Sequence, residues 1–445
     1  MLSHVLIANR GEAALRVLRA CRELGLRATV AVSQADADSL PARLADRAVV
    51  IGPPPAARSY LDGAAIVQAA LGVGADAIHP GYGFLSESED FARLVADAGL
   101  TFVGPPADVL ARLGDKAGVR ALAARANVPV TPGSGPLEDV DAARRAAERI
   151  GYPVLLKAAA GGGGRGIRRV DEASALAQLF PTAHAEARSA FGDGTLYLEK
   201  LVYPARHVEA QILGDGRGNV VVLGERDCSV QRRRQKLIEE TPAPRLRDGT
   251  RSSLHAAARR LAEASGYVNA GTVEFLVDAD ENIYFMEINR RLQVEHPITE
   301  MVTGWDLARE QLLVAAGEAN YRDGLVTPRG CSIECRINAE DPDHDFAPRV
   351  GVVTRYRPPG GPGVRVDSHL TAGYAVPPWY DSLLAKLIVW APDRPTALAR
   401  LARALDEFEI EGVPTTIPAL QRIIAHPDFA AGGVATDWLE RRSSL

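Results

Sequence analysis

The stretch GTVEFLVDADENIYFMEIN, Gly271 to Asn289, decides how this chain is read, and it runs directly into RRLQVEH, Arg290 to His296. Asp278 to Asn282 is a cluster of turn formers between two alternating β-rich runs, Thr272 to Val277 and Ile283 to Ile288, so a hairpin is expected. A register symmetric about Asp280 and Glu281 sets Glu274 opposite Glu287, with Cβ atoms roughly 5 Å apart on one face. Left bare, such a pair repels. A hard cation between the carboxylates makes it favourable, and magnesium takes carboxylates together with substrate phosphates. The hairpin is therefore expected to serve a metal and a nucleotide. If the chain stays extended beyond it, the same face carries Asn289, Arg291, Gln293 and Glu295, while Met286, Ile288, Leu292 and Val294 point to a core.

Around this segment the chain has ordinary globular proportions. Its 445 residues suggest about three domains, and 47% apolar with 24% charged residues is usual for a soluble protein. A net charge of −5 argues against nucleic acid as the main partner, because phosphate backbones call for a basic surface. Cys21, Cys228, Cys331 and Cys335 have neither zinc-site nor disulfide-framework spacing, so reduced, buried thiols are expected. The first residues run into a strand, SHVLIA, with no secretory or transit pattern and no long apolar span anywhere, which predicts a cytoplasmic protein without a membrane partner. Only five of the 51 basic residues are lysine: Lys116, Lys157, Lys200, Lys236 and Lys386. In so arginine-rich a chain, a lysine can mark a position that needs a compact ammonium.

Residues 1–114 alternate strand and helix, predicting a Rossmann-like parallel sheet with helices on both faces. The loops Asn9 to Glu12 and His79 to Glu87 (HPGYGFLSE) follow predicted strands, where ligands tend to bind; for Asn9 and Arg10 a structural turn role is an equal alternative. Residues 115–330 form the expected middle domain. Within it, 131–203 reads as a lid that begins at a proline and glycine cluster. This lid contains PVLLKA, then AAGGGGRG, then the alternating run IRRV. Gly161, Gly163 and Gly166 match GxGxxG formally, but that pattern needs a helix after the glycines, and Walker A fails at Ile167 and Arg168. What remains is a glycine turn between strands, its N–H groups able to close over phosphates with Lys157 beside them. Further on, Arg226, Arg232, Arg233, Arg234 and Lys236, with Arg206 brought close by strand pairing, are expected to form an anion pocket. From 331 to 445 short strands and two helices predict an α+β domain closing over the middle one.

Taken in order, the segments IANRGEAALR, HPGYGFLSE, GDKAGVR, KAAAGGGGRG, LEKLVYPARHVEAQ, ERDCSVQRRRQKLIEETPAP, EINRRLQVEHPITEMVTG, ECRINAEDP and PPWYDSLLAKL resemble biotin carboxylase, the ATP-grasp component of acyl-CoA carboxylases. The resemblance covers nearly the whole chain, and the ordered set is far more specific than any one segment. It implies that Lys116, Lys157, Gly163, Gly164, Glu199, Lys200, Leu201, Val202, His207, Gln231 and Arg234 hold ATP, with Glu274 and Glu287 reaching it through the metal. Glu274, Glu287 and Asn289 would bind magnesium or manganese, as the hairpin suggests independently. Bicarbonate would lie against Lys236, Arg291, Gln293 and the backbone of Val294, with Tyr82 on the substrate side. By the same likeness Glu295 is the base on bicarbonate, which attacks the γ-phosphate to give carboxyphosphate. Arg336 would steady the biotin enolate.

Two departures from the family pattern stand out: Arg234, where relatives often carry a shorter histidine or asparagine, and Arg290, where a small residue is usual. Arg290 falls on the apolar face and is expected to snorkel outward. The only methionines are Met1, Met286 and Met301, none beside a lysine, so the chain lacks an Ala-Met-Lys-Met-like biotinylation turn. A separate biotin carboxyl carrier protein and a carboxyltransferase subunit are the expected partners, and the likeness implies a homodimer. Two rivals are an ATP-grasp ligase for another carboxylate, which would lack RLQVEH and ECRINAEDP, and a silent scaffold subunit, which would not need Glu274, Glu287, Glu295, Lys236 and Arg336 intact.

Overall fold

The computed structural model describes residues 2–159, 166–321 and 326–442. The first domain is built on a parallel sheet whose spatial order is Arg47–Gly52, Arg27–Ser33, His4–Ile7, Ala77–His79 and Thr101–Phe102. Period-two alternation explains its two covered faces. Val5 and Ile7 pack with Leu15 and Leu18 of the helix Gly11–Glu23. Leu6 and Ala8 pack on the other side with Ile66 of Gly63–Val73 and Phe91 of Glu89–Asp97. Ser88 caps the last of these helices by accepting the Phe91 N–H at 3.2 Å.

A small antiparallel sheet, Ile167–Val170, Val154–Ala158 and Leu196–Lys200, carries the helices Val140–Ile150 and Ala173–Phe191 on its own core. A strand does follow the glycine segment, and it pairs Ile167 with Lys157. Gly163 and Gly164 lie outside the described residues.

The largest element is an eight-stranded antiparallel sheet running Ile283–Asn289, Asn269–Val277, Arg206–Gly214, Val220–Arg232, Gln235–Thr241, Cys331–Asn338, Leu383–Ala391 and Val364–Ser368. The C-terminal residues thus extend the central sheet: Cys331–Asn338 bonds edge to edge with Gln235–Thr241, so no solvent boundary separates the two cores. On the other side Leu292 joins the core of the helix Gly11–Glu23, fastening the RLQVEH segment to the first domain.

The helix Asp248–Ser265 is tied to this sheet through buried Glu225, which accepts from Arg251 and His255, each at 2.8 Å, and from the Ala243 N–H at 3.1 Å. Burial opposes its ionisation, but His255 and Arg251 outweigh that and take Glu225 from the ordinary 4.5 to about 2. Its contribution is therefore complete above pH 4.5 and fades as pH falls towards 2, amounting to about 3 kcal/mol at neutral pH. Glu225→Gln is expected to lower the melting temperature at pH 7 by a gap that stays constant down to about pH 5 and narrows below it. Thermal melts of both proteins across that range check it.

Candidate functional site

The hairpin forms, and Glu274 does face Glu287, but only through an irregularity. Next to the turn Val277 pairs with Ile283 and Phe275 with Phe285; a one-residue bulge at Met286 then shifts the register so that Glu274 meets Glu287 and Thr272 meets Asn289. Without the bulge Glu274 would face Met286. The acid row continues across the sheet: Glu274 pairs on its other side with Glu209, and Glu209 pairs with Arg226.

This row is not left bare. Lys236 Nζ reaches Glu209 at 2.9 Å, Glu274 at 3.2 Å and Glu295 at 2.5 Å. Arg226, fully buried, donates to Glu209 at 2.6 Å, Gln211 at 2.7 Å and Thr299 at 2.8 Å. His207 Nε2 approaches Glu274 at 2.9 Å, and Asn289 Nδ2 donates to Glu274 at 2.7 Å. Gln231 Nε2 donates to His207 Nδ1 at 2.8 Å, which places the imidazole proton on Nε2, facing Glu274. Burial penalises the Glu274 carboxylate, yet Lys236 and His207 win and hold it well below the usual carboxylate range. Glu287 moves the opposite way: burial and then the charge of Glu274 push it up. It is ringed by protein while its carboxylate stays open to solvent, the setting of a group on a cleft wall. Two facing acids driven apart in this manner, with Asn289 alongside, form a hard-oxygen donor set suited to magnesium or manganese. The ligand atoms of His207, Glu209 and Glu274 also converge, but the Lys236 ammonium already occupies that convergence.

Glu295 lies between two cations, Lys236 and Arg336, the latter donating to it at 3.0 Å and to Glu239 at 2.7 Å. Burial opposes its charge most strongly, but Lys236, Arg336 and Arg226 together prevail, and Glu295 is held below the ordinary range. Glu239 is pushed up to about 7 by burial, with Arg336 only partly offsetting it. Gln293 donates to Thr272 at 3.0 Å and accepts from Arg291 at 2.9 Å.

On the small-sheet side, Glu199 pairs with Lys157 and, at 2.9 Å, with Arg120. Lys116 stands among Glu287, Lys157 and Glu199, its ammonium made easier to deprotonate by burial. Backbone N–H groups of Lys200 and Leu201 bond to Pro132 and Pro153, while Val202 follows in the connection to the next strand.

Several expectations need correction. The backbone does not stay extended past Asn289: it turns through an irregular segment into the helix His296–Thr303, and Gln293 and Glu295 still reach the site because that turn folds back on the sheet. Arg290 does not snorkel outward; its guanidinium lies beside Glu87 and donates to the carbonyl of Leu110 in the helix Ala107–Gly114, so a carboxylate and a backbone oxygen hold it in place of solvent. The six cations do not make one pocket. Arg206 pairs with Asp227, Arg232 and Arg233 pair with Asp345, and only Arg226 and Lys236 enter the acid row. Arg234 is exposed at the tip of a two-residue turn in which it and Arg233 are both left-handed. The Lys200 ammonium bonds the carbonyls of Gly151 and Tyr152, so only its backbone could meet a nucleotide. Asn9 takes its structural alternative, donating at 2.7 Å to the carbonyls of Pro80 and Tyr82, and Arg10 is bound to Asp36. Glu209 and Glu239 were overlooked in the sequence. The alternation of RHVEAQIL places His207, Glu209 and Gln211 on one face, a signal that could have found the first of them.

Three family models match in order: biotin carboxylase N-terminal domain at 1–110, carbamoyl-phosphate synthase L chain ATP-binding domain at 115–321, and biotin carboxylase C-terminal domain at 334–441. The chain is 52% identical to the biotin carboxylase of Nostoc sp. over 98% of both chains. It superposes on the biotin carboxylase–β,γ-ATP complex from Campylobacter jejuni with a TM-score of 0.96 at 47% identity, covering 99% of each. The biotin carboxylase domain dimer of Hydrogenobacter thermophilus 2-oxoglutarate carboxylase, solved with MgADP, ADP and bicarbonate, gives 0.94 at 49% identity over 99% of this chain and 98% of that one. Fold and site together define an ATP-grasp ligase. Within that class, the chain belongs to the biotin carboxylase family.

Proposed function

We propose that this enzyme carboxylates biotin on a separate carrier protein, using bicarbonate and ATP. The observation that carries this is Lys236 joined to Glu209, Glu274 and Glu295, with Glu295 shared by Arg336 and the Glu274–Glu287 pair alongside. Lys116, Lys157, Glu199 to Val202, His207 and Gln231 flank the nucleotide, with Gly163 and Gly164 assigned to its phosphates on sequence alone. Glu274, Glu287 and Asn289 would hold magnesium or manganese, which neutralises phosphate charge when bound. Bicarbonate is recognised by Lys236, Arg291, Gln293 and the Val294 backbone, and Tyr82 and Arg336 face biotin.

In this assignment Glu295 takes the bicarbonate proton as the anion attacks the γ-phosphate, breaking its bond to the β-phosphate oxygen and giving carboxyphosphate and ADP. A carboxylate held below its ordinary range is a weak base, but a bicarbonate drawn to Lys236 competes for the ammonium that Glu295 uses. An added negative charge beside Glu295 raises its proton affinity at the moment it must accept. Carboxyphosphate then releases CO₂, the phosphate left behind takes the proton from biotin, and Arg336 stabilises the resulting enolate as it attacks CO₂.

The same proposal includes the division 1–114, 115–330 and 331–445, a homodimer, a carboxyltransferase partner and a cytoplasmic setting. Four buried free thiols suit a reducing compartment, and among the described residues no helix is long and apolar enough to cross a membrane.

Purified chain given ATP, magnesium, free biotin and radiolabelled bicarbonate should fix label onto biotin. ATP turnover indifferent to both bicarbonate and biotin would favour a ligase for another carboxylate. Chelating the divalent ion should stop the reaction, and Glu287→Gln should raise the magnesium concentration for half-maximal rate by at least about tenfold, the low end of what disturbing a metal site does. An unchanged requirement would remove Glu287 from the metal set.

A further inference from the structure

Lys386 has no part in the roles assigned above, yet its side chain is fully buried. On Leu383–Ala391 it pairs across the sheet with Arg336 on one side and Asp367 on the other. Its ammonium donates to the Val294 carbonyl at 2.8 Å, lies 3.2 Å from Glu12 and stands 5.9 Å from the centre of the Tyr82 ring. The Tyr82 hydroxyl donates to the same Glu12 oxygen, and the other Glu12 oxygen is buried without a hydrogen-bond partner. A buried ammonium carries a desolvation penalty of several kcal/mol, which an apolar side chain of the same length would avoid.

What the ammonium holds is an irregular piece of backbone. Between Asn289 and the helix His296–Thr303 the chain has no strand partner to fix it, and Val294 sits between Gln293 and Glu295. We propose that Lys386 is a positioning residue for bicarbonate: by fixing the Val294 carbonyl, with Glu12 and Tyr82 fixing the ammonium in turn, it sets the angle at which Gln293, the Val294 N–H and Glu295 meet the anion. This rests on the bicarbonate roles given above. It also makes the first domain part of the site's geometry, because Glu12 and Tyr82 both come from that domain. Methionine at 386 would fill similar space but leave the Val294 carbonyl unheld.

The test is steady-state kinetics of full-length Lys386→Met with bicarbonate and ATP varied separately, alongside a thermal melt. The expected result is a fall of about 10²-fold in kcat/KM for bicarbonate, the scale of a small misplacement of reacting groups, with the KM for ATP within about twofold of wild type. A lower melting temperature with unchanged kinetics per folded enzyme, or an equal rise in the KM for both substrates, overturns the proposal. Should the methionine variant fail to fold, Lys386→Arg keeps the charge but lengthens its reach. A selective rise in its bicarbonate KM supports positioning, and a wild-type value overturns it. Wild-type enzyme runs in parallel: no bicarbonate- and biotin-dependent turnover there would sink the functional assignment itself, whereas normal wild-type turnover beside unaltered Lys386 variants sinks only this inference.

Discussion

Glu295→Gln is expected to lower bicarbonate-dependent carboxylation of biotin by about 10²–10⁴-fold, the range for loss of a general base, while leaving the protein folded. The amide keeps the size of the carboxylate but cannot take a proton. Stability should change far less than activity because both cationic neighbours retain other acids: Lys236 keeps Glu209 and Glu274, and Arg336 keeps Glu239. Label fixation onto biotin measures the first quantity and a thermal melt the second. Activity within about threefold of wild type would take the base role from Glu295, since a positioned base contributes far more than that.

Lys236→Met should show a larger structural effect. One ammonium serves three buried carboxylates, and its removal leaves Glu209, Glu274 and Glu295 with Arg226 and Arg336 as the remaining cations beside them and the His207 imidazole facing Glu274. Breaking a buried ion pair from one side commonly destabilises by about 3–5 kcal/mol, and no measurable carboxylation is expected from such a variant. The pH dependence has a defined sign. Lys236 is the leading influence holding Glu274 and Glu295 below the ordinary range against burial, so without it their affinities for protons rise. An acid whose folded value lies above its unfolded value favours the folded state more as pH falls. The variant should therefore gain melting temperature from pH 8 to pH 5.5 relative to wild type. A gap independent of pH would mean that the ammonium is not the shared counter-ion.

The failures of the sequence reading have a common origin. Turn chemistry and period two were enough to place Glu274 against Glu287, because a hairpin is closed by residues close in sequence; even there a bulge at Met286 rescued the pairing. Arg290 was misjudged because its direction depends on Glu87 and on a helix carbonyl from the first domain, some 200 positions away. The run from Arg226 to Lys236 looked like one basic patch, yet Arg232 and Arg233, at the turn, pair with Asp345, while Arg226 and Lys236, on the two strands that the turn joins, enter the acid row.

By itself, then, the sequence determined the strand-helix alternation of the first domain, the metal-type acid pair and, through its ordered motifs, the family. Tertiary structure alone decided that Glu209, Lys236, Glu295 and Arg336 share one electrostatic unit and that Lys386 lies beside it, bound to Glu12 and the Val294 carbonyl. These side chains come from four strands and one turn whose neighbours are set by the strand order of the eight-stranded sheet. Local periodicity fixes only the face on which a side chain emerges. Which distant charge it meets there depends on long-range pairing, and that pairing settled which acids were neutralised and which was left to hold a cation.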